Sequence, residues 1–567
     1  KKILLFSLVA ISILVSSIIL HNSSSSTCTS ISCVRAGEIL RRKSAAAVFS
    51  IDTNQSNSIS PCDDFYEFAC AGWAENTIVR APRSREWNVP LETSFKSFDR
   101  IKKLFARLMS HQEKRKAMTP YQTAALITYQ KCMMESTEDA NSALKSAYQE
   151  MKGWLSTASD ERTIEETLIG AYRSNAVSLF HINAQIDAKD IQKRTILTIE
   201  EAVPYVSVQS LYGTMDGFTS EDLISGQLDG HWLHGILFSA GLELGKKLDM
   251  MDSAQFKESL AKAIQLDYKI TRCSPHFSIT NGESPEQYRT TLGYLTAKFG
   301  HVFDFRFFLD NFIGREINAN TEIMIAPGME YFNRLMSVLQ EYSTMDGGMN
   351  VIKDYIKFKQ LFMLTIHSGK LEQRKQLGGL ETLRILYTGE DDRSLQCINR
   401  VGMINQLGFT SLLEKFMAPQ LQENMEYARN IGESMRREYI DVLRKSDVID
   451  GVDRTALIDK AERIRIRIAV PEASRDPKAL LEESNMFVSD DLPWATFFTT
   501  TMGNRHWKQF SDFGKPSNPA EWPTDTNPFN INVHYNYESN SILFPIIWTM
   551  EQFLDAKLPS LFSFAGF

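Results

Sequence analysis

The chain has 567 residues, 43% of them hydrophobic and 23% charged, with a formal net charge of −7. That length exceeds one ordinary core and suits two or three lobes. The composition is globular, and the mild acidity without a long basic run excludes nucleic acid as the expected partner.

Residue 1 is Lys rather than Met, so the sequence is expected to begin inside a longer chain. Lys1 and Lys2 lead into residues 3–20, an uncharged stretch rich in Ile, Leu, Val and Phe. Eighteen such residues reach the lower limit for a membrane-spanning helix. A signal anchor is favoured over a cleaved signal peptide, because no small-residue cleavage pattern follows. A buried globular helix is the remaining alternative, weakened by the terminal position and the all-round apolar character. The leading lysines suggest a cytoplasmic N-terminus and an outside bulk, an argument diluted by Arg35, Arg41, Arg42 and Lys43. Residues 1–21 are therefore expected to be a stub and anchor, giving a single-pass protein with its ectodomain outside the cell. A Ser-rich extracellular stalk is expected over residues 22–60. Sequons at Asn22 and Asn54 make these the candidate glycosylation sites. Seven cysteines suit an extracellular protein with a few disulfides, and an odd count leaves at least one outside any pair. Cys28 and Cys33 are close enough to close a small loop in the stalk.

From residue 61 to 522 the pattern is mainly helical. Phe95, Phe98, Ile101, Phe105 and Leu108 repeat at three- and four-residue spacing, as do Ala428, Ile431, Met435, Tyr439 and Val442. Leu457, Ala461, Ile464 and Ile468 repeat likewise and stop before Pro471. Residues 463–468 also alternate strictly, which is a strand pattern; helix is preferred because the longer spacing extends upstream. Residues 515–530, rich in Pro and Asn, read as a linker. Two short strands are expected next, around Ile531 to Tyr537 and Ile542 to Phe544, joined at Glu538, Ser539 and Asn540.

The run Pro61-Cys62-Asp63-Asp64-Phe65-Tyr66-Glu67-Phe68-Ala69-Cys70-Ala71-Gly72-Trp73 resembles the opening of the neprilysin and endothelin-converting-enzyme ectodomain. Tyr129-Gln130-Lys131-Cys132, Pro327-Gly328-Met329-Glu330-Tyr331-Phe332, Cys397-Ile398-Asn399-Arg400-Val401 and Glu521-Trp522 agree in the same order. So does the stretch from Asn532 to Pro545, and the resemblance covers residues 28–567. It implies a type II membrane zinc metallopeptidase, a glycoprotein that cuts small extracellular peptides on the amino side of apolar residues. In fold it implies the large helical lobe of a two-lobed ectodomain over residues 61–522. A linker and the start of the metallopeptidase catalytic domain would occupy residues 523–567.

The resemblance also implies disulfides Cys28–Cys33 and Cys132–Cys397. Cys62 and Cys70 would pair with cysteines of the catalytic half, and Cys273 has no counterpart. The cofactor implied for the complete family protein is Zn²⁺. Its signature H-E-x-x-H places two imidazoles one helical turn apart, with a carboxylate to take a proton from water. None of the ten histidines here is followed by Glu. The sequence therefore offers no catalytic residue and no metal ligand, and this polypeptide by itself is expected to be inactive. The alternative is a non-catalytic surface protein, a receptor or decoy that keeps the peptide groove.

Two substrate-binding elements carry over. The family's Asn-Ala pair on an edge strand falls on Asn532 and Val533, where an amide side chain suits peptide groups and the strand suits β-augmentation. Arg85, in Ser84-Arg85-Glu86-Trp87-Asn88, aligns with an Arg that takes a substrate carboxylate, against the plainer reading of a surface ion pair with Glu86. His534 lies two residues from Asn532 and is expected on the same strand face. His231 and His234 have a spacing that can ligate metal, but beyond Asp229 no nearby Cys or acidic cluster completes the set, and two ordinary histidines are the preferred reading. The expected partners are small peptides and the membrane; no feature defines an oligomeric state.

Overall fold

The computed structural model describes residues 62, 64, 66, 89–155, 161–187, 194–202, 205, 217–228, 231–250, 253–274, 288–326, 328–368, 393–516, 522, 533–536, 539–549, 554 and 556. Residues 3–20, Cys28, Cys33, Cys70, Asn22, Asn54, Arg85 and Asn532 lie outside them. Among the described residues, no helix is long and apolar enough to cross a membrane. The chain is mainly α-helical with a few short strands, and it divides into two compact units: residues 118–409 with 476–525, and residues 1–117 with 410–475 and 526–567.

The larger unit is organised around the helix Gly348–His367. Its buried residues fall on every side: Ile352, Tyr355, Ile356, Phe358, Leu361, Phe362, Leu364 and Ile366. A helix apolar all round belongs in the middle of a core, and this one packs against Ala254–Arg272, Ile164–Arg173 and Trp494–Lys508. Trp154 is fully buried beside it, stacked on Phe358 at 5.2 Å, with its indole N–H donating to the Asp354 carbonyl at 3.2 Å. The helix also carries buried polar groups. The Asp267 carboxylate accepts from the Tyr205 N–H at 2.9 Å and the Tyr355 hydroxyl at 3.0 Å. Lys359 lies over the Tyr205 ring at 4.3 Å, and burial lowers its pKa to about 8 against the opposing pull of Asp267.

Helix starts in this unit are written in the sequence. Thr119 with Gln122, Ser136 with Asp139, and Thr163 with Glu166 each form a reciprocal capping box. One sheet has the order β1-β2-β4-β3. Strand β1 (His181–Ile186) pairs antiparallel with β2 (Thr195–Glu200), and β3 (Tyr288–Thr291) pairs antiparallel with β4 (Glu322–Ile325). Strands β2 and β4 run parallel, with Thr198 opposite Met324.

Cys132 and Cys397 are bonded to each other, joining the helices Pro120–Met134 and Arg393–Ile404 across 265 residues of chain. Both are fully buried. Arg393 donates to the Cys132 carbonyl at 2.6 Å and to the buried Glu135 carboxylate at 3.1 Å. A link that closes so long a loop restricts the unfolded chain. The double substitution Cys132→Ser/Cys397→Ser is expected to cost about 2–4 kcal/mol. Urea denaturation checks this, and reductant should have no further effect on the variant's larger unit.

In the smaller unit, the helix Val89–Ser110 buries Ile101, Phe105 and Leu108 completely, on the stripe its spacing predicts. The helix Gln406–Lys445 extends through residues 428–442, but the apolar stripe read from its sequence is only half buried. Ala428 and Ile431 are in the core, whereas Met435, Tyr439 and Val442 are 45%, 49% and 57% exposed. Ile440 and Leu443 are buried instead, packed with Ala461. The helix Gly451–Glu462 covers the face one residue round, and that tertiary contact overrides the stripe.

The helical reading of residues 463–468 is also corrected. The helix stops at Glu462, and β5 (Arg465–Ala469) follows. The strict alternation decided the outcome because a partner strand exists: the Arg465 N–H donates to the Asn540 carbonyl at 3.0 Å, and β5 runs parallel to a later strand from there.

Candidate functional site

That later strand is the centre of a three-stranded sheet in the smaller unit. Strand β6 (His534–Asn536) pairs antiparallel with β7 (Ser541–Pro545), which Ser539 and Asn540 precede in a turn, and the order is β5-β7-β6. The register places His534 opposite Leu543, Tyr535 opposite Ile542 and Asn536 opposite Ser541. Local chemistry fixes the turn. The Asn536 side-chain oxygen accepts from the Ser539 N–H at 2.8 Å and its hydroxyl at 2.7 Å. Asn540 adopts the left-handed region, φ 48°, which Asn tolerates. Its side chain is held at both ends, accepting from the Tyr535 hydroxyl at 2.7 Å and donating to the Lys460 carbonyl at 3.0 Å.

Strand β7 supplies the apolar anchor: Leu543 is fully buried, Phe544 is 7% exposed, and Ile546 and Ile547 lie beneath. Strand β6 is an edge of this sheet, with β7 its one neighbour among the described strands, and β5 is the other edge. An edge strand presents a row of backbone donors and acceptors to any extended chain alongside. Val533 directly precedes β6 and is half-buried, while Tyr535, on the same strand face by alternation, is exposed. Asn532 and Arg85, the other two substrate-binding candidates, lie outside the described residues.

The zinc that the family resemblance implies finds no fit in these residues. The sequence has no H-E-x-x-H, and among the described residues no group of three or more His, Cys, Asp or Glu side chains could hold a metal ion. These residues therefore support no step through a metal. His231 and His234 are buried core residues at the start of the helix Trp232–Lys247. The His234 ring packs 4.8 Å from Phe218 and 5.6 Å from His231. Burial, and then the neighbouring His231, push its pKa down to about 3, so it is neutral under ordinary conditions.

One polar cluster in the larger unit gave no signal in the sequence, because its members come from distant segments. His181 on β1 meets the Glu200 carboxylate of β2 at 3.2 Å, and the His506 ring from the helix Trp494–Lys508 lies 4.9 Å from His181. His506 Nε2 bonds the Ile182 carbonyl at 2.7 Å, which fixes that nitrogen as the protonated one. Burial lowers the His506 pKa to about 4, with His181 adding to the effect. Burial opposes ionisation of Glu200, yet hydrogen bonds from His181, Asn183 and Gln185 hold its pKa below the ordinary value. The cluster pins a sheet edge to a helix.

Comparison with known proteins fits this architecture. The model of Peptidase family M13 matches residues 61–471, and the chain belongs to that family. Among named relatives, membrane metallo-endopeptidase-like 1 of Mus musculus is 21% identical over 96% of this chain and 68% of its own length. Endothelin-converting enzyme 1 of Bos taurus is 20% identical, over 91% of this chain and 65% of its own. Of solved structures, the Mycobacterium tuberculosis zinc metalloprotease Zmp1 in complex with an inhibitor superposes with a TM-score of 0.65 at 14% identity, covering 90% of this chain and 71% of that one. That likeness shows the fold alone. The chain spans about two thirds of the length of the relatives it matches.

Proposed function

We propose that this chain carries the substrate-binding part of a membrane-anchored zinc metalloendopeptidase acting on small extracellular peptides. The observation that carries the reading is the family match over residues 61–471, together with relatives named as metallo-endopeptidase and endothelin-converting enzyme. The open β6 edge supports it, because a peptide laid antiparallel beside Val533 to Asn536 would gain main-chain hydrogen bonds at alternate residues. Asn532 then clamps a peptide amide through its donor and acceptor, and Val533 narrows the adjoining side-chain pocket. Arg85 takes the free carboxylate of a short substrate through its two-pronged guanidinium. Residues 3–20 anchor the chain in the plasma membrane, Cys28–Cys33 closes the stalk loop, and Asn22 and Asn54 carry glycans. Zinc comes with an H-E-x-x-H segment that these 567 residues do not contain, so this polypeptide binds peptides without cutting them.

Two assays test the reading on residues 22–567. A quenched peptide with an apolar residue after its scissile bond is expected to show no turnover with or without zinc. The same peptide is expected to bind saturably, and Asn532→Ala to weaken binding about tenfold, the worth of one lost pair of amide contacts. Zinc-dependent turnover would contradict the inactivity of this polypeptide, and binding indifferent to Asn532→Ala would contradict the assignment of the groove.

A further inference from the structure

The chain as a whole is acidic, yet residues 96–116 hold eight Lys and Arg against two acids. These do not form a run in the sequence; the helix assembles them. On Val89–Ser110, Lys96, Arg100, Lys103 and Arg107 stand at i, i+4, i+7 and i+11, one face of an α-helix. With 1.5 Å of rise per residue, the four charges form a straight row about 16 Å long. Ser94, Ser97, Ile101, Phe105 and Leu108 are buried on another face of the same helix, so packing fixes which way the row looks.

The row continues past its end. His111 breaks the helix, and the short helix Gln112–Lys116 adds Lys114, Arg115 and Lys116 with no buried residue of its own. Lys103, Arg107, Lys114 and Lys116 are exposed. Exposed Lys415 stands at the end of the short helix, its ammonium donating to the Ala117 carbonyl. At the start of the row Lys96 pairs with Glu92, one turn back on the helix. Within residues 96–116 the acids are Asp99 and Glu113, and Glu113 is held by Lys116 at 2.8 Å in a pair open to solvent on both sides, which contributes little.

We propose that this ridge is a docking site for a linear sulfated polysaccharide. Like charges in a row repel one another and attract counterions, and a polyanion that replaces those counterions gains their release. A sulfated chain offers negative groups along one line, which suits a straight helix face. Two other polyanions fit the surface less well. Binding in the plane of a membrane needs apolar side chains beside the basic ones, and no large apolar side chain is exposed among residues 92–116. Single-stranded nucleic acid needs exposed aromatic platforms, which the same segment lacks. The buried Cys132–Cys397 disulfide places the fold in an oxidising compartment, where extracellular polysaccharides are met. The proposal does not depend on the peptidase reading.

Heparin-affinity chromatography of the full chain tests this. The protein is expected to stay bound at physiological salt and to elute near about 0.5 M NaCl, given several screened contacts. The triple reversal Lys103→Glu/Arg107→Glu/Lys114→Glu is expected to move elution below about 0.2 M NaCl. A control reversal of equal charge on exposed residues elsewhere, Lys246→Glu/Lys445→Glu/Lys478→Glu, should leave elution within about 0.1 M of the parent, and circular dichroism should show both variants folded. Flow-through of the parent at about 0.15 M NaCl, the physiological ionic strength, overturns the proposal. So does an equal loss in the control, which would mean net charge alone, or equal retention on desulfated heparin. Binding to phosphatidylserine vesicles without heparin retention would overturn it in favour of a membrane surface.

Discussion

Replacing Glu483 by Gln is expected to destabilise the larger unit by about 3–4 kcal/mol, the scale for removing one partner of a buried charge pair. Glu483 is 3% exposed, on the short helix Pro477–Ser484. Its carboxylate accepts from the Leu407 and Gly408 N–H groups and from Arg505, each at 3.0 Å. Leu407 and Gly408 begin the forty-residue helix Gln406–Lys445, whose first N–H groups have no partner within the helix. A carboxylate there satisfies two orphan donors and meets the positive end of the helix dipole. An amide has one acceptor oxygen, and its NH₂ group would face donors. Arg505, half-buried and also bonded to the Gln406 side chain at 2.8 Å, would lose its counter-charge. Chemical denaturation gives the size of the loss. Hydrogen exchange should localise it, with residues 406–409 exchanging faster in the variant and the smaller unit's β5 unaffected. A variant of parental stability would show that the interaction is dispensable.

Mild acid is expected to destabilise the protein as well, through three imidazoles that stay neutral in the fold. His234 and His506 have pKa values lowered to about 3 and about 4, and desolvation, with Arg400 adding to it, holds the half-buried His367 well below the ordinary value. Each is neutral when folded. Above a pH of about 6.5 that costs nothing, because the unfolded chain is neutral too. Below that pH the unfolded chain takes up protons that the folded chain refuses, so stability falls with pH until the folded pKa is reached. At a pH of about 5 each such group contributes a loss of about 2 kcal/mol. Glu200 acts later: its lowered pKa stabilises the fold above the ordinary carboxylate range, and that benefit is lost only as pH falls through that range. Around His506 the facing groups are His181, Glu200 and Tyr172. Thermal melts between about pH 7.5 and 5.0 should show a steady fall in Tm. His506→Gln, which keeps a donor for the Ile182 carbonyl, should flatten the slope by roughly a third. A flat profile would contradict the assignment of these imidazoles as neutral in the folded chain.

Much of the helical framework was legible from apolar spacing. Ile101, Phe105 and Leu108 lie where the repeat places them, fully buried on one face of the helix. Met435, Tyr439 and Val442 show where spacing stops being informative: it identifies a helix, but what packs against the helix decides which face is buried, and here Ile440 and Leu443 face Ala461. Residues 463–468 satisfied both periods, and only a partner strand far downstream separated them, through Arg465 opposite Ser541. The β6–β7 hairpin was readable because its turn chemistry is local, in Asn536, Ser539 and Asn540. The His181, Glu200 and His506 cluster was not, since β1, β2 and a helix distant in sequence must first be brought together. The basic row of Lys96, Arg100, Lys103 and Arg107 was likewise hidden, because charges spaced at the helical period do not form a run along the chain.

Hydrogen exchange of residues 531–537, with and without an uncleaved peptide carrying an apolar residue at its centre, tests the central claim most directly. If β6 is the edge on which substrate is laid, the ligand should slow exchange in that segment and leave the central strand β7 unchanged, because a bound chain takes up the outward-facing backbone groups of an edge strand. Unchanged exchange at residues 531–537 under saturating peptide would contradict the account and place peptide recognition elsewhere in the chain.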